Sequence, residues 1–278
     1  MKNEIKINTI RASSILYLLL ILLPWPVAVA SDKDDRNTII SKAFEQKDVL
    51  FSAGKFPEAI ELANKVLSLK PGDEVAAAAY YMRGEAYANQ GKYNAAIKDF
   101  SKALDLDPQN LGNQPPFYFN LGTAHFRLGH SAEALSYLNK AIQLYPQYFL
   151  AYNQRGSIYA GLGKYEAALG DFNKCIDLEP QNSEGYFGRG MLYYSWGMLE
   201  PSYKDLIKVI ELNPKNIVAH ILITGIYSQQ NNEADACKWL KKTVDKAKGT
   251  GFNSWDYIKK SKDYEKLRAA DCYKEIMK

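Results

Sequence analysis

Hydrophobic and polar residues follow the period of an amphipathic helix along most of this chain. Between Ile40 and Lys248, apolar residues recur three and four positions apart in stretches of about 13 residues, the length of an ordinary helix. The stretches come in pairs, and each pair is separated by a residue type that suits the left-handed end of a helix: Gly54, Gly91, Gly129, Gly163, Gly197 or Asn231. The pattern predicts an all-α chain made of helix pairs.

The helix pairs repeat with a period near 34 residues. Two series keep this spacing: Gly122, Gly156 and Gly190, and Pro146, Pro180 and Pro214. A short motif recurs as well: Tyr80-Tyr81-Met82-Arg83-Gly84, Tyr152-Asn153-Gln154-Arg155-Gly156 and Tyr186-Phe187-Gly188-Arg189-Gly190. The small glycines let two helices approach closely, and each proline ends the second helix of a pair. Such copies bury their apolar faces against one another, so the repeat predicts a stacked solenoid.

This pattern of aromatic, small, Ala and Pro positions resembles the tetratricopeptide repeat family. The resemblance implies an all-α α-solenoid of about six helix-turn-helix units in a right-handed superhelix. The units, called copies 1 to 6 below, span residues 40–76, 77–114, 115–148, 149–182, 183–216 and 217–248. We expect residues 31–39 to form a flexible lead, and residues 249–278 to form one or more capping helices.

Residues 1–30 have the pattern of a secretory signal peptide. A basic lead precedes an unbroken apolar run from Ile15 to Leu23, and Ala28 and Ala30 place small residues before a cleavage site. The Lys-rich lead is typical of a bacterial source, so we expect a periplasmic or secreted protein. A second interpretation stays open, in which the segment is not cleaved and anchors the chain in the inner membrane.

Charge and motif content narrow the classes of function. Residues 31–237 hold 20 basic and 24 acidic residues, whereas residues 238–278 hold 12 and 6. A nucleic-acid binder usually carries a basic stripe across its body, so we expect no nucleic-acid partner. The three histidines lack further ligands at metal-binding spacing, and no phosphate loop or nucleophile motif is present. We therefore expect no cofactor, no metal and no enzymatic activity.

Two sets of residues predict pairings within the chain. Arg83, Arg155 and Arg189 are each followed 16 residues later by an aspartate, and copies that lack the arginine also lack the aspartate. We interpret this joint pattern as ion pairs between the two helices of one copy. Cys175 occupies a position held by Ala in sister copies and is expected in the core. Cys237 and Cys272 are the candidate disulfide.

The resemblance also implies a binding surface. Family members turn the first helix of each copy towards a concave groove, and positions 2, 5, 9, 12 and 13 of a copy line it. We expect a protein or peptide partner there, and the candidate contact residues are Tyr81, Glu85, Phe119, Asn120, Thr123, Arg127, Asn153, Ser157, Phe187 and Tyr194. Aromatic side chains supply contact area and amides pair with a peptide backbone. The alternative is that these aromatics pack between copies.

Overall fold

A computed structural model describes residues 30–248, Thr250 and residues 255–277 of the 278-residue chain. Within these residues the regular structure is entirely helical. The helices of the array are α1 (Ala30–Ser52), α2 (Phe56–Ser68), α3 (Asp73–Asn89), α4 (Tyr93–Leu106), α5 (Pro108–Leu111), α6 (Pro115–Arg127), α7 (Ser131–Leu144), α8 (Phe149–Gly161), α9 (Tyr165–Leu178), α10 (Ser183–Ser195), α11 (Leu199–Leu212), α12 (Ile217–Gln229) and α13 (Glu233–Ala247). The predicted all-α solenoid is confirmed.

The C-terminal segment folds into short helices against the last copy. It contains α14 (Asp256–Lys260), a 3₁₀ turn (Lys262–Tyr264), α15 (Glu265–Ala269) and α16 (Asp271–Ile276). Ile258, Tyr264 and Leu267 are buried and pack with Ile221 and Leu240 of copy 6. This segment, called the cap below, therefore shields the apolar end of the stack from water, as the end of a solenoid requires.

The helix bounds follow the repeat closely in the second half of the array. Helices α6, α8, α10 and α12 begin at the residues at which copies 3 to 6 were predicted to start. Helix α3 instead begins at Asp73, four residues before the predicted start of copy 2. This earlier start takes up the longer spacing between the first copies.

Two segments are more helical than the sequence indicated. Helix α1 runs back to Ala30, so residues 31–39, expected as a flexible lead, are helical. The Arg36 guanidinium donates hydrogen bonds to the carbonyls of Leu69 and Lys70, which come after α2 and lack helical partners. Apart from Ala30, the predicted signal peptide lies outside the described residues.

The second segment lies at the C-terminal end of copy 2, where the pattern of helix pairs predicts no further helix. Residues Pro108–Leu111 form the single turn α5, and the Asp107 carboxylate accepts a hydrogen bond of 3.2 Å from the Asn110 amide. Leu111 is only 7% exposed and joins the core of copies 2 and 3. The proline-rich joint is therefore packed rather than free.

The turn and small positions behave as the repeat pattern requires. All six predicted turn residues have positive φ angles, from 59° at Asn231 to 82° at Gly129. Within helices, a Cβ atom on Gly84 would lie 2.7 Å from the Phe100 ring. The absence of a side chain there lets the two helices of copy 2 make contact.

Three arginines connect the two helices of their copies. The Nε and Nη2 groups of Arg83 donate to the Asp99 carboxylate at 2.7 and 2.8 Å. The same two-point geometry, at 2.6–2.8 Å, recurs in two later copies: Arg155–Asp171 and Arg189–Asp205. The aspartate side chains are only 6–8% exposed. The predicted ion pairs are therefore present and largely shielded from water.

Each arginine also binds the preceding copy, a contact that the sequence pattern had not suggested. Nη1 of Arg155 donates to Asn139 Oδ1 at 2.6 Å, and Asn139 lies in the second helix of copy 3. Equivalent bonds of 2.5 and 2.6 Å join two further pairs: Arg83 to Asn64, and Arg189 to Asn173. Where the next copy lacks the arginine, Ser101 or Ile207 replaces the asparagine. The Asn–Arg–Asp network thus connects neighbouring copies.

Candidate binding cleft between copies 1 and 3

A cleft of about 390 Å³ lies between the first helices of copies 1, 2 and 3. Its lining residues are Phe51, Glu85, Ala88, Asn89, Tyr93, Asn120, Thr123, Ala124 and Arg127. Four of the ten predicted contact residues line it, namely Glu85, Asn120, Thr123 and Arg127. The structure therefore brings the polar residues of copies 2 and 3 together in one place.

One side of the cleft is held by internal polar contacts. The Asn120 amide donates to Tyr81 Oη at 2.9 Å and to Glu85 Oε1 at 3.2 Å, which links α6 to α3. Lys47 Nζ lies 2.6 Å from Glu85 Oε2 and 5.3 Å from the centre of the Tyr81 ring. Burial, together with the nearby Glu85 carboxylate, raises the pKa of Tyr81. Tyr81 thus supports the cleft wall as a neutral side chain.

Lys47 was not predicted as part of the site. It occupies the position of copy 1 at which copies 2 to 5 have a glycine. The longer side chain reaches across to Glu85 of copy 2. The replacement of glycine by Lys47 at this position was the feature of the sequence from which its role could have been predicted.

Two groups in the cleft have no partner inside the protein. Thr123 Oγ1 is buried and makes no hydrogen bond. Arg127 is exposed, and no carboxylate lies within ion-pair distance of it among the described residues. Buried polar groups nearly always have a hydrogen-bonding partner, so this hydroxyl is available to a ligand or to water. A peptide carbonyl or carboxylate matches both donors.

The remaining candidates in copies 3 and 4 lie outside this cleft. Phe119 packs edge-on against Tyr148, with ring centres 5.5 Å apart. Asn153 Nδ2 lies 3.4 Å from Glu184 Oε2, and Ser157 Oγ donates to the Asn153 carbonyl at 2.9 Å. Ser157 is exposed. Phe119 therefore packs against the residue of copy 3 that precedes α8, while Asn153 is partly exposed.

Tyr194, a predicted contact residue, makes a hydrogen bond to the cap. Its hydroxyl donates to Asp263 Oδ2 of the cap at 2.9 Å, and Tyr257 donates to the same oxygen at 3.1 Å. Phe187 packs into the apolar cluster of copies 5 and 6 and is half-buried. Tyr194 therefore holds the cap, whereas Phe187 packs between copies 5 and 6.

The close packing of the cap on the last copy depends on a glycine in α12. A Cβ atom on Gly225, at position 9 of copy 6, would lie 2.3 Å from the Tyr194 hydroxyl and 2.8 Å from the Tyr264 hydroxyl. Tyr264 passes over α12 and donates to the Ile221 carbonyl at 2.7 Å. The cap is therefore fitted closely to the groove positions of the last two copies.

The three cysteines divide as the sequence indicated. Cys237 of α13 and Cys272 of α16 form a disulfide with Cα atoms 6.0 Å apart, which fastens the cap to the last copy. Cys175 is unpaired and 1% exposed. Burial raises the pKa of its thiol to about 12, so the thiol stays protonated at neutral pH.

Metal and membrane features are absent from the described part of the chain. Within residues 30–248 and 255–277, no group of three or more His, Cys, Asp and Glu side chains is arranged to hold a metal ion. No helix within those same ranges has both the length and the apolar character needed to cross a bilayer.

Family models identify the repeats directly. Three models described as tetratricopeptide repeat match residues 77–110, 121–185 and 183–216. The chain belongs to the tetratricopeptide repeat family. The matches cover copies 2 to 5, whereas copy 1 and copy 6 depart most from the pattern, as terminal repeats commonly do.

Relatives of this tetratricopeptide repeat protein share short segments with it. RNA polymerase II-associated protein 3 of Rattus norvegicus is 41% identical over 75 residues, which is 27% of this chain and 11% of the relative. The chain thus spans about a tenth of that protein's length.

Two solved structures resemble the array. YrrB, described as a TPR protein with an unusual peptide-binding site, is 27% identical, with a TM-score of 0.52 over 69% of this chain and 93% of YrrB. A tetratricopeptide repeat protein from Parabacteroides merdae is 20% identical, with a TM-score of 0.65 over 86% of this chain and 93% of its own. The second likeness concerns the fold alone. Together the repeats and these relatives indicate a protein-interaction scaffold.

Proposed function

We propose that the protein is a non-catalytic scaffold, exported to the bacterial cell envelope, that binds an extended segment of a partner protein in the cleft between copies 1 and 3. One observation carries this proposal: the cleft contains the buried unpaired Thr123 hydroxyl beside the unpaired Arg127 guanidinium. Groups with no role inside the fold are the groups a ligand can use.

The cleft suits a peptide better than a small metabolite. Phe51, Tyr93 and two alanines give it apolar walls, and the polar groups that remain are mostly donors. Thr123 and Arg127 can donate to carbonyl or carboxylate oxygens of an extended chain, and an Asn89 side chain can pair with its backbone. The peptide-binding site of YrrB supports a peptide ligand for a repeat array of this kind.

Two features support export. Residues 1–30 have the charge, apolar run and small residues of a signal peptide. The disulfide between Cys237 and Cys272 is a bond that persists in oxidising compartments. Intact-mass measurement of the mature protein tests this part of the proposal. A chain beginning at Ser31 supports it, whereas a chain that retains residues 1–30 supports the membrane-anchored alternative.

Site-specific photo-crosslinking in the native host tests the binding site. A photoreactive amino acid replaces Asn89 or Arg127 in the cleft, and Lys102 or Lys174 on the second helices as exposed controls. We expect a discrete protein adduct from the two cleft positions and none from the controls. Adducts from the control positions alone would place the binding surface on the opposite side of the array.

A further inference from the structure

The outward face of α13 carries mainly positive charge. Four lysines lie on a single side of this helix at helical spacing, Lys238, Lys241, Lys242 and Lys246, and Lys248 follows directly at its C-terminal end; all five are exposed. Asp245 is the only acidic residue among them. The opposite side is buried through Ala236, Leu240 and Thr243. The lysines therefore form one continuous cationic surface, called the lysine face below.

The second helix of copy 5 shows a different arrangement. In α11, Lys204 and Lys208 pair with Glu200 and Glu211 of the same helix, at 3.5 and 3.1 Å. Charges of both signs thus neutralise each other within that exposed face. The lysine face departs from this arrangement in the one copy whose convex helix has no following copy beside it.

Most of the lysine face has no internal counter-charge. Lys248 pairs with Asp245 at 2.7 Å, and Lys242 Nζ lies 4.4 Å from the centre of the Trp239 ring. Lys238, Lys241 and Lys246 have no carboxylate within ion-pair distance among the described residues. Like charges at this helical spacing repel one another. A partner with negative charge would remove that repulsion.

The surroundings of the lysine face favour an extended anionic surface as the partner, rather than a ligand that is held in a specific pocket. Lys238, Lys241 and Lys248 border a shallow cleft of about 480 Å³ between α13 and α16, which Asp245 and Glu275 also line and which has the disulfide at its side. The face has lysine without arginine, so it offers point charges rather than the two-point geometry that selects individual phosphates or carboxylates. Residues 238–278 hold 12 basic and 6 acidic residues, so the whole end of the molecule is cationic.

We propose that the lysine face docks this end of the protein on a bilayer surface rich in anionic phospholipid. Membranes with a negative surface potential attract clusters of lysine in this way, without a specific binding pocket. This orientation leaves the cleft between copies 1 and 3 free for a partner protein. The inference rests on the proposed export in one respect: export decides which membrane the protein encounters. Binding to vesicles does not depend on export.

Vesicle co-sedimentation of the mature, oxidised chain tests the proposal. The vesicles contain equal parts of phosphatidylglycerol and phosphatidylcholine, with pure phosphatidylcholine as the neutral comparison. The test variant is Lys238→Gln/Lys241→Gln/Lys242→Gln. The matched control, Lys98→Gln/Lys102→Gln/Lys174→Gln, removes the same charge from exposed positions of other second helices.

The expected result is binding to the anionic vesicles only, weakened by salt. Each lysine near an anionic surface contributes about a fivefold change in partitioning, so the test variant should bind about 100-fold more weakly. The control variant should bind as the unchanged protein does. Equal losses in both variants, or no binding to anionic vesicles, would overturn the proposal.

Retention on soluble polyglutamate without vesicle binding would also overturn it, in favour of an acidic protein partner. Failure here is separate from failure of the proposed function, because crosslinking from Asn89 and Arg127 does not require the lysine face.

Discussion

The groove positions differ between the two halves of the array. Those of copies 2 and 3 are open, whereas those of copies 5 and 6 are covered by the cap. In copies 2 and 3 they line an open cleft with the unpaired donors Thr123 and Arg127. In copies 5 and 6 they hold the cap through Tyr194, Ile221 and Gly225. The same register of the same repeat therefore gives a candidate binding site at one end and a packing surface at the other. The cap, packed against the C-terminal end of the array, accounts for the difference.

The two regions are joined by copy 4, and the largest expected effect comes from breaking that joint. Asp171→Ala leaves the Arg155 guanidinium partly buried without its carboxylate, and loss of one partner of a buried pair costs about 3–5 kcal/mol of unfolding free energy. Chemical denaturation measures the change. The exposed residue Asp177 of the same helix provides the control, and Asp177→Ala should shift stability by only about 0.5 kcal/mol. Equal stability of the two variants would contradict the role assigned to the pair.

Releasing the cap should affect only the covered region. Cys272→Ala removes a cross-link between residues 35 apart in sequence. Such a link restricts the unfolded chain and contributes about 3–4 kcal/mol. Hydrogen exchange should rise in residues 256–277 and around Tyr194, while residues 81–127 stay protected. Equal loosening of both regions would show that the cap and the cleft are not independent.

The close fit of the cap at Gly225 can be tested by one methyl group. Gly225→Ala places a Cβ atom against the Tyr194 and Tyr264 hydroxyls, and overpacking of this kind costs about 1–3 kcal/mol. Gly161→Ala is the control, because nothing lies within 4 Å of a Cβ atom there. Thermal unfolding compares the two variants. A Gly225→Ala protein as stable as the control would mean that the cap does not sit as the structure shows.

Removal of two tyrosine hydroxyls, one in each region, has the smallest expected effect and tests whether the regions are independent. Tyr194→Phe deletes the bond to Asp263 of the cap, whereas Tyr81→Phe deletes the acceptor for Asn120 beside the cleft. Each hydrogen bond contributes about 1 kcal/mol. Tyr194→Phe should speed hydrogen exchange of the cap only, and Tyr81→Phe should leave the cap unchanged. Loosening of the cap by Tyr81→Phe would break the proposed division.

Much of the fold could be predicted because each copy repeats the same local chemistry. The 34-residue period located the starts of α6, α8, α10 and α12, and the Arg–Asp rule located three ion pairs. The third member of that network, Asn139 and its equivalents, obeys the same internal rule and was equally readable. The exceptions are non-repeating segments. The α5 turn and the extended start of α1 depend on contacts specific to one place in the chain.

The candidate site was less predictable for the same reason. The repeat register predicted that Tyr194, like Arg127, lines the groove. Tyr194 instead pairs with Asp263, 69 residues away in sequence. No repeat constrains where the cap folds, so only the structure could assign Tyr194 to packing. Glu85, Asn120, Thr123 and Arg127 converge because both of their copies keep the regular register.

The most direct test of the central claim is the affinity for the partner segment obtained by crosslinking, measured by calorimetric titration. The cleft variant Thr123→Ala/Arg127→Ala should weaken binding about 30-fold, which corresponds to about 2 kcal/mol. The matched variant Asn153→Ala/Ser157→Ala alters accessible positions of copy 4 and should bind as the unchanged protein does. Undiminished affinity in a folded cleft variant, with a loss in the copy 4 variant, would contradict the assignment of the cleft.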